Sequence, residues 1–269
     1  MTHALPYWHV DAFADRPFAG NQAAVMPLED WLDDAVMLAI AEENLFAETA
    51  FVVRDTTAEA DWELRWFTPT EEVRLCGHAT LASGHVLLAR DGGERVTFRT
   101  RRAGLLAVER SGDAYELALP LIRTERGDWP EAAALLGAQP QEVWLNPDGY
   151  GIYLFADAAT VSALDPDLRG LGALGNDQFI CTAPGTDTDV VSRVFVPGGG
   201  VDEDSFTGSA HAALTHFWAE RLGRESFSAF QASQRGGYAH CCRDGDRAVL
   251  SGPCVTVVEG RFYLPQVSG

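Results

Sequence analysis

The segment RWFTPTEEVRLCGHATLAS (residues 65–83) joins a strand-like run, a proline and a loop to an apolar helix that opens at Cys-Gly-His. The same arrangement returns in RVFVPGGGVDEDSFTGSAHAA (residues 193–213). Both copies read Arg-x-Phe-x-Pro, a loop, one small residue, Gly, a polar residue and Ala, and the second loop is three residues longer. This repeat predicts two halves of related architecture, residues 1–118 and 119–269, with the last strands able to pack back on the first half.

The composition limits the class of protein. With 269 residues, 46% of them apolar, the chain can bury a sizeable core. No window approaches the roughly 18 apolar residues of a membrane span, and the opening MTHALPYWHV lacks the basic and apolar regions of a signal peptide. A net charge of −19 repels phosphate backbones and anionic membranes, so neither nucleic acid nor a membrane is an expected partner. Five cysteines without Cys-x-x-Cys spacing favour a cytoplasmic location over a disulfide framework.

Hydrophobic patterning predicts an α+β fold. Strand-like runs recur through both halves. Asp30 can cap a helix running to about Glu43, with Trp31, Ala35, Leu38 and Ala39 on one side. The helices predicted over residues 78–89 and 209–222 are apolar on nearly every side, which is typical of buried helices. The simplest architecture is a curved, mostly antiparallel sheet wrapped around one central helix in each half, with the active site in the cleft between the halves.

The two helix mouths are candidate anion sites. The start of a helix exposes unpaired N–H groups and the positive end of the helix dipole, which together attract carboxylates. Gly77 and Gly208 would let the backbone approach a ligand closely. Each glycine could equally serve a tight turn between loop and helix, but the presence of the same arrangement twice favours a small-anion site.

Three titratable residues accompany the helix mouths. His78 follows Gly77, Asp204 lies five residues before Ser209, and Glu48 precedes a strand-like apolar run. A structural histidine, a solvated loop carboxylate and a solvated turn residue are the simpler interpretations of the three. In a dry cleft, a glutamate with a raised pKa could act as general base and acid on a carbon-bound proton.

At these residues the chain resembles the phenazine-biosynthesis isomerase-like (PhzF-like) family, within the diaminopimelate epimerase fold. The resemblance spans nearly the whole chain, and its motifs, in order, are DAFADRPFAGNQAAV, NLFAETAF, RWFTPTEEVRLCGHATLA and RVFVPGGGVDEDSFTGSAHAAL. It implies that Glu48 is the acid/base residue, with His78 and Asp204 as further catalytic residues. It also implies substrate binding by Gly77, Gly208 and Ser209.

The chain departs from the family pattern at two positions. Gln22 and Ser205 occupy places where proline is usual, which affects loop conformation and substrate selection. Related epimerases and racemases use two thiols, one at each helix mouth. Here Cys76 stands at the first position and Thr207 at the second, so a two-thiol mechanism is not available. Cys76 can also be interpreted as a small buried residue.

The resemblance implies an isomerase, without cofactor or metal, that moves a proton and a double bond within a small, cyclic or unsaturated carboxylic acid. It further implies a homodimer. Two alternatives stay open: an amino-acid epimerase or racemase that depends on Cys76, and a non-catalytic protein of the same fold that binds small molecules. The glycines at positions 198–200 lack the Lys-Ser/Thr of a phosphate-binding loop and the strand–helix context of a dinucleotide site.

Overall fold

A computed structural model of the chain describes residues 3–264. These residues fall into two compact units. The first unit contains residues 3–118 and 252–264, and the second contains residues 119–251. Within the described residues, no helix is both long and apolar enough to cross a membrane. All five cysteines are free thiols.

The first unit is a mixed sheet with two helices. Its elements are β1 (His3–Ala12), β2 (Asn21–Pro27), α1 (Asp34–Asn44), β3 (Glu48–Arg54), β4 (Trp62–Phe67), β5 (Glu72–Val73), α2 (Gly77–Asp91), β6 (Arg95–Thr100), β7 (Leu105–Ser111), β8 (Ala114–Pro120) and, from the end of the chain, β18 (Cys254–Leu264). Most pairings are antiparallel, but β2 runs parallel to β3 and β4 runs parallel to β6. The final strand pairs antiparallel with β1 along its length.

The second unit has the same kinds of element in a similar order. They are β9 (Glu125–Gly127), α3 (Pro130–Leu135), β10 (Glu142–Asn146), β11 (Tyr150–Leu154), α4 (Ala158–Ser162), α5 (Leu168–Leu174), β12 (Gln178–Pro184), β13 (Val190–Val196), β14 (Val201–Glu203), α6 (Gly208–Leu222), β15 (Ser226–Gln231), β16 (Gly237–Asp244) and β17 (Arg247–Gly252). A short 3-10 turn, Pro197–Gly199, precedes β14.

The strand pairings of the two units repeat one another. Successive strands from β1 to β5 pair first antiparallel, then parallel, then twice antiparallel. Successive strands from β10 to β14 pair in the same directions. In each unit a parallel step then leads to the strand after the long helix, from β4 to β6 and from β13 to β15. The repeat seen in the sequence is therefore a repeat of topology.

Each unit packs its sheet against one long, buried helix. In the first unit α2 contacts β1, β2, β3, β6, β7 and β18, and its buried side chains include Leu81, Val86, Leu87 and Leu88. Burying one such side chain contributes about 1.5–3 kcal/mol. A Cβ on Gly84 would lie 2.4 Å from a methyl carbon of Val108, so a glycine lets α2 lie close to β7. In the second unit α6 is similarly buried and contacts β11, β15 and β16.

The predicted α+β class is confirmed, while the first helix differs from its prediction. α1 begins at Asp34 rather than at Asp30, because the backbone N–H of Leu28 still bonds to the carbonyl of Val52 and extends the pairing of β2 with β3. Its buried side chains are those of Met37, Ile40 and Ala41. Of the residues predicted on one side, Trp31 and Leu38 pack against the core of this unit, whereas Ala35 and Ala39 are exposed.

Candidate functional site

The first helix mouth brings a carboxylate and an imidazole together. Glu48 is the first residue of β3 and His78 is the second residue of α2, and α2 packs against β3. The Oε2 atom of Glu48 lies 3.2 Å from Nε2 of His78. The distance is that of an ion pair, but Oε2 is buried and makes no hydrogen bond within the described part of the chain. The Glu48 side chain as a whole is 17% exposed, through atoms other than Oε2.

Two more side chains surround His78. The Nδ1 atom of His78 lies 3.2 Å from the side-chain nitrogen of Asn21 and 3.5 Å from the sulfur of Cys76. Asn21 begins β2, the strand that runs parallel to β3. Asn21 was not predicted from the sequence. An asparagine after a turn-rich stretch does not indicate which residue, more than fifty positions away, its side chain contacts. Asn21 fixes the ring of His78 from the side opposite Glu48.

The electrostatics of this mouth distinguish its thiol from its carboxylate. Burial, reinforced by the charge of Glu48, raises the pKa of Cys76 to about 11, so the thiol is neutral near pH 7. For His78, burial lowers the pKa, but Cys76 and Glu48 outweigh burial and raise it well above 6.5. Because Cys76 is a neutral thiol near pH 7, Glu48 is the charged group beside His78. The mouth therefore carries a carboxylate beside a histidine whose pKa is raised, with a thiol that holds its proton.

The same three residues could also hold a metal ion. One donor atom from each of Glu48, Cys76 and His78 lies within 4.8 Å of the other two. Oxygen, sulfur and nitrogen donors of this kind are ligands of Zn²⁺. The sequence did not indicate this cluster, because Glu48 lies far from the Cys-Gly-His motif along the chain.

The second helix mouth is organised by hydrogen bonds among polar side chains. Thr207, the N-cap of α6, donates a hydrogen bond of 2.6 Å from its hydroxyl to Oδ2 of Asp204. The backbone N–H of Thr207 donates to Oε1 of Gln231, whose Nε2 donates to the carbonyl of Asp204. Gln231 is fully buried, so it fixes the loop that leads into α6. Ser209 is paired with Gln178, the first residue of β12, at 3.1 Å between Oγ and Nε2.

The helix starts have the backbone that an anion site needs. Cys76 and Thr207 are extended, with φ/ψ of −139/113 and −111/104, and neither side chain caps its own helix. The first-turn N–H groups are therefore left without a capping side chain. Gly77 and Gly208 are buried, and neither adopts a positive φ, so a left-handed backbone is not the reason for glycine there.

The structure thus groups the predicted site residues by unit. Glu48, Gly77 and His78 lie together in the first unit. Asp204, Gly208 and Ser209 lie together in the second. That both mouths open into one cleft stays a prediction.

His211 in α6 makes the stability of the fold sensitive to acid. Its ring is fully buried and stacked on Phe206 at 4.2 Å between centroids, and Nδ1 contacts the carbonyl of Thr207. Burial lowers its pKa from 6.5 to about 4. The unfolded chain binds this proton below pH 6.5 and the folded chain only below pH 4. The free energy of unfolding should therefore fall as the pH drops from 6.5 to 4, by about 2 kcal/mol at pH 5.

The measurement is urea unfolding at pH 7.5 and pH 5.0. His211→Asn keeps a donor for the Thr207 carbonyl and should lose less stability between the two pH values than the unsubstituted protein does. His240→Asn, at an exposed position, is the matched control and should leave the difference unchanged. Equal losses in the protein and in His211→Asn would contradict the assignment.

The chain is similar to known proteins over nearly its whole length. Residues 10–260 match the family model described as phenazine biosynthesis-like protein, PhzC-PhzF. An uncharacterized isomerase of Pseudomonas aeruginosa is 44% identical over 263 residues, which cover 97% of this chain and 99% of that protein. The crystal structure of a PhzF-family phenazine biosynthesis protein from Enterococcus faecalis superposes with a TM-score of 0.90 at 40% identity, over 97% of this chain and 100% of that one.

A more distant structure extends the fold relationship. A hydroxyproline epimerase from Agrobacterium vitis, 12% identical, has a TM-score of 0.62 over 98% of this chain and 94% of its own. At that identity the match concerns the fold alone. The fold is therefore that of the proline and diaminopimelate epimerase-like α+β proteins. The chain belongs to the phenazine biosynthesis-like, or PhzF, family, and it is an isomerase.

Proposed function

We propose that the protein is a cofactor-independent isomerase that moves a proton and a double bond within a small, cyclic or unsaturated carboxylic acid. The observation that supports this most directly is the Glu48–His78 pair at the start of α2, in which a carboxylate oxygen lies 3.2 Å from Nε2 of a buried imidazole. A carboxylate held beside a histidine ring can take up a proton and return it.

In the proposed reaction Glu48 acts first as base and then as acid. Its carboxylate takes a proton from a carbon next to the substrate double bond, and the electron pair of that C–H bond forms the new double bond. The electron pair of the old double bond then takes the proton from Glu48 at the more distant carbon. The substrate keeps its composition, and the carboxylate of Glu48 is regenerated.

The other residues hold the substrate and manage its polar groups. His78 can donate a hydrogen bond from Nε2 to a substrate oxygen, because that atom lies at the same mouth as Glu48. Asp204, which accepts a hydrogen bond from the hydroxyl of Thr207, is proposed to help move a proton on a polar group of the substrate. Ser209 and the N–H groups at Gly77 and Gly208 are proposed to bind the substrate carboxylate.

Proton exchange in D2O tests the proposal. The protein is incubated with a library of small cyclic and unsaturated carboxylic acids, and deuterium uptake is measured by mass spectrometry. Uptake with a shifted double bond supports the isomerase. Uptake with inversion at an α-carbon supports an epimerase instead, and binding of an acid without any uptake supports a non-catalytic binding protein.

Cys76→Ser is expected to retain turnover within about threefold, since general-base catalysis needs a group that is ionised near the working pH. Cys76 is a protonated thiol there, because its pKa is about 11. Thr207, at the corresponding position of the second mouth, supplies no partner thiol. The measurement is the rate of deuterium uptake by Cys76→Ser, with Cys242→Ser as a control outside both mouths. Loss of uptake in Cys76→Ser alone would favour the epimerase.

A further inference from the structure

The internal repeat identifies a residue of the second unit that corresponds to Glu48. In the first unit Thr49 pairs with Phe67, the aromatic residue of the first Arg-x-Phe motif. In the second unit Phe179 pairs with Phe195, the aromatic residue of the second Arg-x-Phe motif. The residues immediately before Thr49 and Phe179 therefore occupy equivalent positions. They are Glu48 and Gln178.

The two residues also make equivalent contacts. Glu48 lies 3.2 Å from Nε2 of His78, the residue that follows the first helix-mouth glycine. Gln178 lies 3.1 Å from Oγ of Ser209, the residue that follows the second helix-mouth glycine. Both strand residues are partly buried. Each unit thus places the first residue of one strand against the second residue of its long helix.

We infer that Gln178 is a positioning residue that orients the hydroxyl of Ser209 towards the substrate without adding a second negative charge beside that of Asp204. The inference rests on the proposed function, in which Ser209 binds the substrate carboxylate. It explains why the two mouths carry different residues at equivalent positions: a carboxylate where a proton is transferred, and a neutral amide where an anion is held.

An amide suits this task for two reasons. Its nitrogen donates to Ser209 Oγ at 3.1 Å, and its oxygen lies 3.3 Å from the same atom, so it can fix the hydroxyl in either direction. A carboxylate of the same size could accept a hydrogen bond from Ser209 as well. However, it would place a negative charge beside the bound carboxylate, and Asp204 already supplies one at this mouth through Thr207.

The test uses acetate as the probe and the full chain throughout. Acetate is titrated into ¹⁵N-labelled protein at pH 7, and its dissociation constant is measured from the amide shifts of Gly208 and Ser209. Gln178→Leu, which removes the hydrogen bonds, should weaken acetate binding severalfold. Gln178→Glu, which keeps the size and adds a charge, should weaken it more, by about tenfold or more. A melting curve for each variant shows that it is folded.

The order of the two variants separates positioning from a merely structural role. If Gln178 were only structural, Gln178→Glu, which stays polar, would lose less acetate affinity than Gln178→Leu. A larger loss in Gln178→Leu therefore overturns the claim that a neutral side chain is needed at this position. In a Ser209→Ala background, Gln178→Leu should have no further effect, because Gln178 acts through Ser209. A further loss there overturns the positioning role, as does wild-type acetate binding in both Gln178 variants.

The same titration distinguishes this inference from the function on which it rests. One outcome is that acetate shifts the amides of Gly208 and Ser209 in the unsubstituted protein and binds both Gln178 variants equally tightly. In that case only the inference about Gln178 fails. If acetate leaves these amides unshifted in the unsubstituted protein, the proposed carboxylate site fails, and the role of Gln178 fails with it.

Discussion

Glu48→Gln is expected to lower turnover by about 10²-fold or more while leaving the fold intact, which is the usual scale for loss of a general acid/base. The amide is nearly isosteric with the carboxylate but cannot take up and return a proton. The substitution keeps the size of the side chain beside His78 and removes the charge that pairs with that ring. The measurement is the initial rate of deuterium uptake from D2O with an acid that the unsubstituted protein turns over.

Glu43→Gln is the matched control, because it makes the same chemical change at an exposed position of α1. Its rate should equal that of the unsubstituted protein. Retention of the substrate affinity in Glu48→Gln would separate a loss of chemistry from a loss of binding. A folded Glu48→Gln protein with a near-normal rate would remove Glu48 from the mechanism.

The Glu48 variant also tests the pairing at the first mouth. Cys76 and Glu48 raise the pKa of His78 against the effect of burial, so removing the charge of Glu48 should lower that pKa. The shift can be followed by NMR titration of the His78 ring. An unchanged pKa would mean that Glu48 does not contribute to the raised pKa of His78.

The repeated Arg-x-Phe pattern predicted the two central helices and the strand before each one. Those strands are β4 (Trp62–Phe67) and β13 (Val190–Val196), and α2 and α6 begin at their glycines. These elements were predictable because long buried segments have one dominant pattern. The short helices of the second unit were not. α3 and α4 have six and five residues, too few for a period, and α5 has two internal glycines.

The site was predictable where a residue stands next to a motif. His78 and Ser209 follow the helix-mouth glycines, and the resemblance to the PhzF-like family identified Glu48. Asn21 and Gln178 were missed, because their roles depend on strand pairings that bring distant segments together. For Gln178 the sequence alone was misleading, because aligning the two halves on Arg-x-Phe without a gap places Asn176 opposite Glu48. Only the registers of β3 with β4 and of β12 with β13 show that Gln178 is the equivalent residue.

The arginine of each Arg-x-Phe motif accounts for another part of the repeat. Arg65 is 2% exposed and makes a two-pronged hydrogen bond with Glu72, at 2.8 Å from Nε and 2.7 Å from Nη2. Its guanidinium lies 4.9 Å from the ring centre of Phe67. The other carboxylate partner, Asp34, is 67% exposed and therefore less effective. The Arg65–Glu72 pair fastens the loop after β4 just before α2 begins.

Glu72→Leu should lower the free energy of unfolding by about 3 kcal/mol, because it leaves a buried guanidinium with one exposed partner. Urea unfolding at pH 7.5 measures the loss. Glu71→Leu, at the exposed neighbouring position, should change the value by less than about 0.5 kcal/mol. The double variant Arg65→Met/Glu72→Leu should lose less than the sum of the single losses, since no buried charge is then left alone. Additive losses would mean that the two side chains are not coupled.

The second copy of the motif supplies an internal comparison. Arg193 makes the same two-pronged bond with Glu203, at 2.7 and 2.9 Å, and lies 4.9 Å from the ring centre of Phe195. However, Arg193 is 14% exposed and also donates to the backbone carbonyl of Leu164 at 2.7 Å. When the carboxylate of Glu203 is removed, the guanidinium of Arg193 therefore still contacts water and the carbonyl of Leu164. Glu203→Leu should cost less than Glu72→Leu, and the reverse order would show that burial does not set the strength of these pairs.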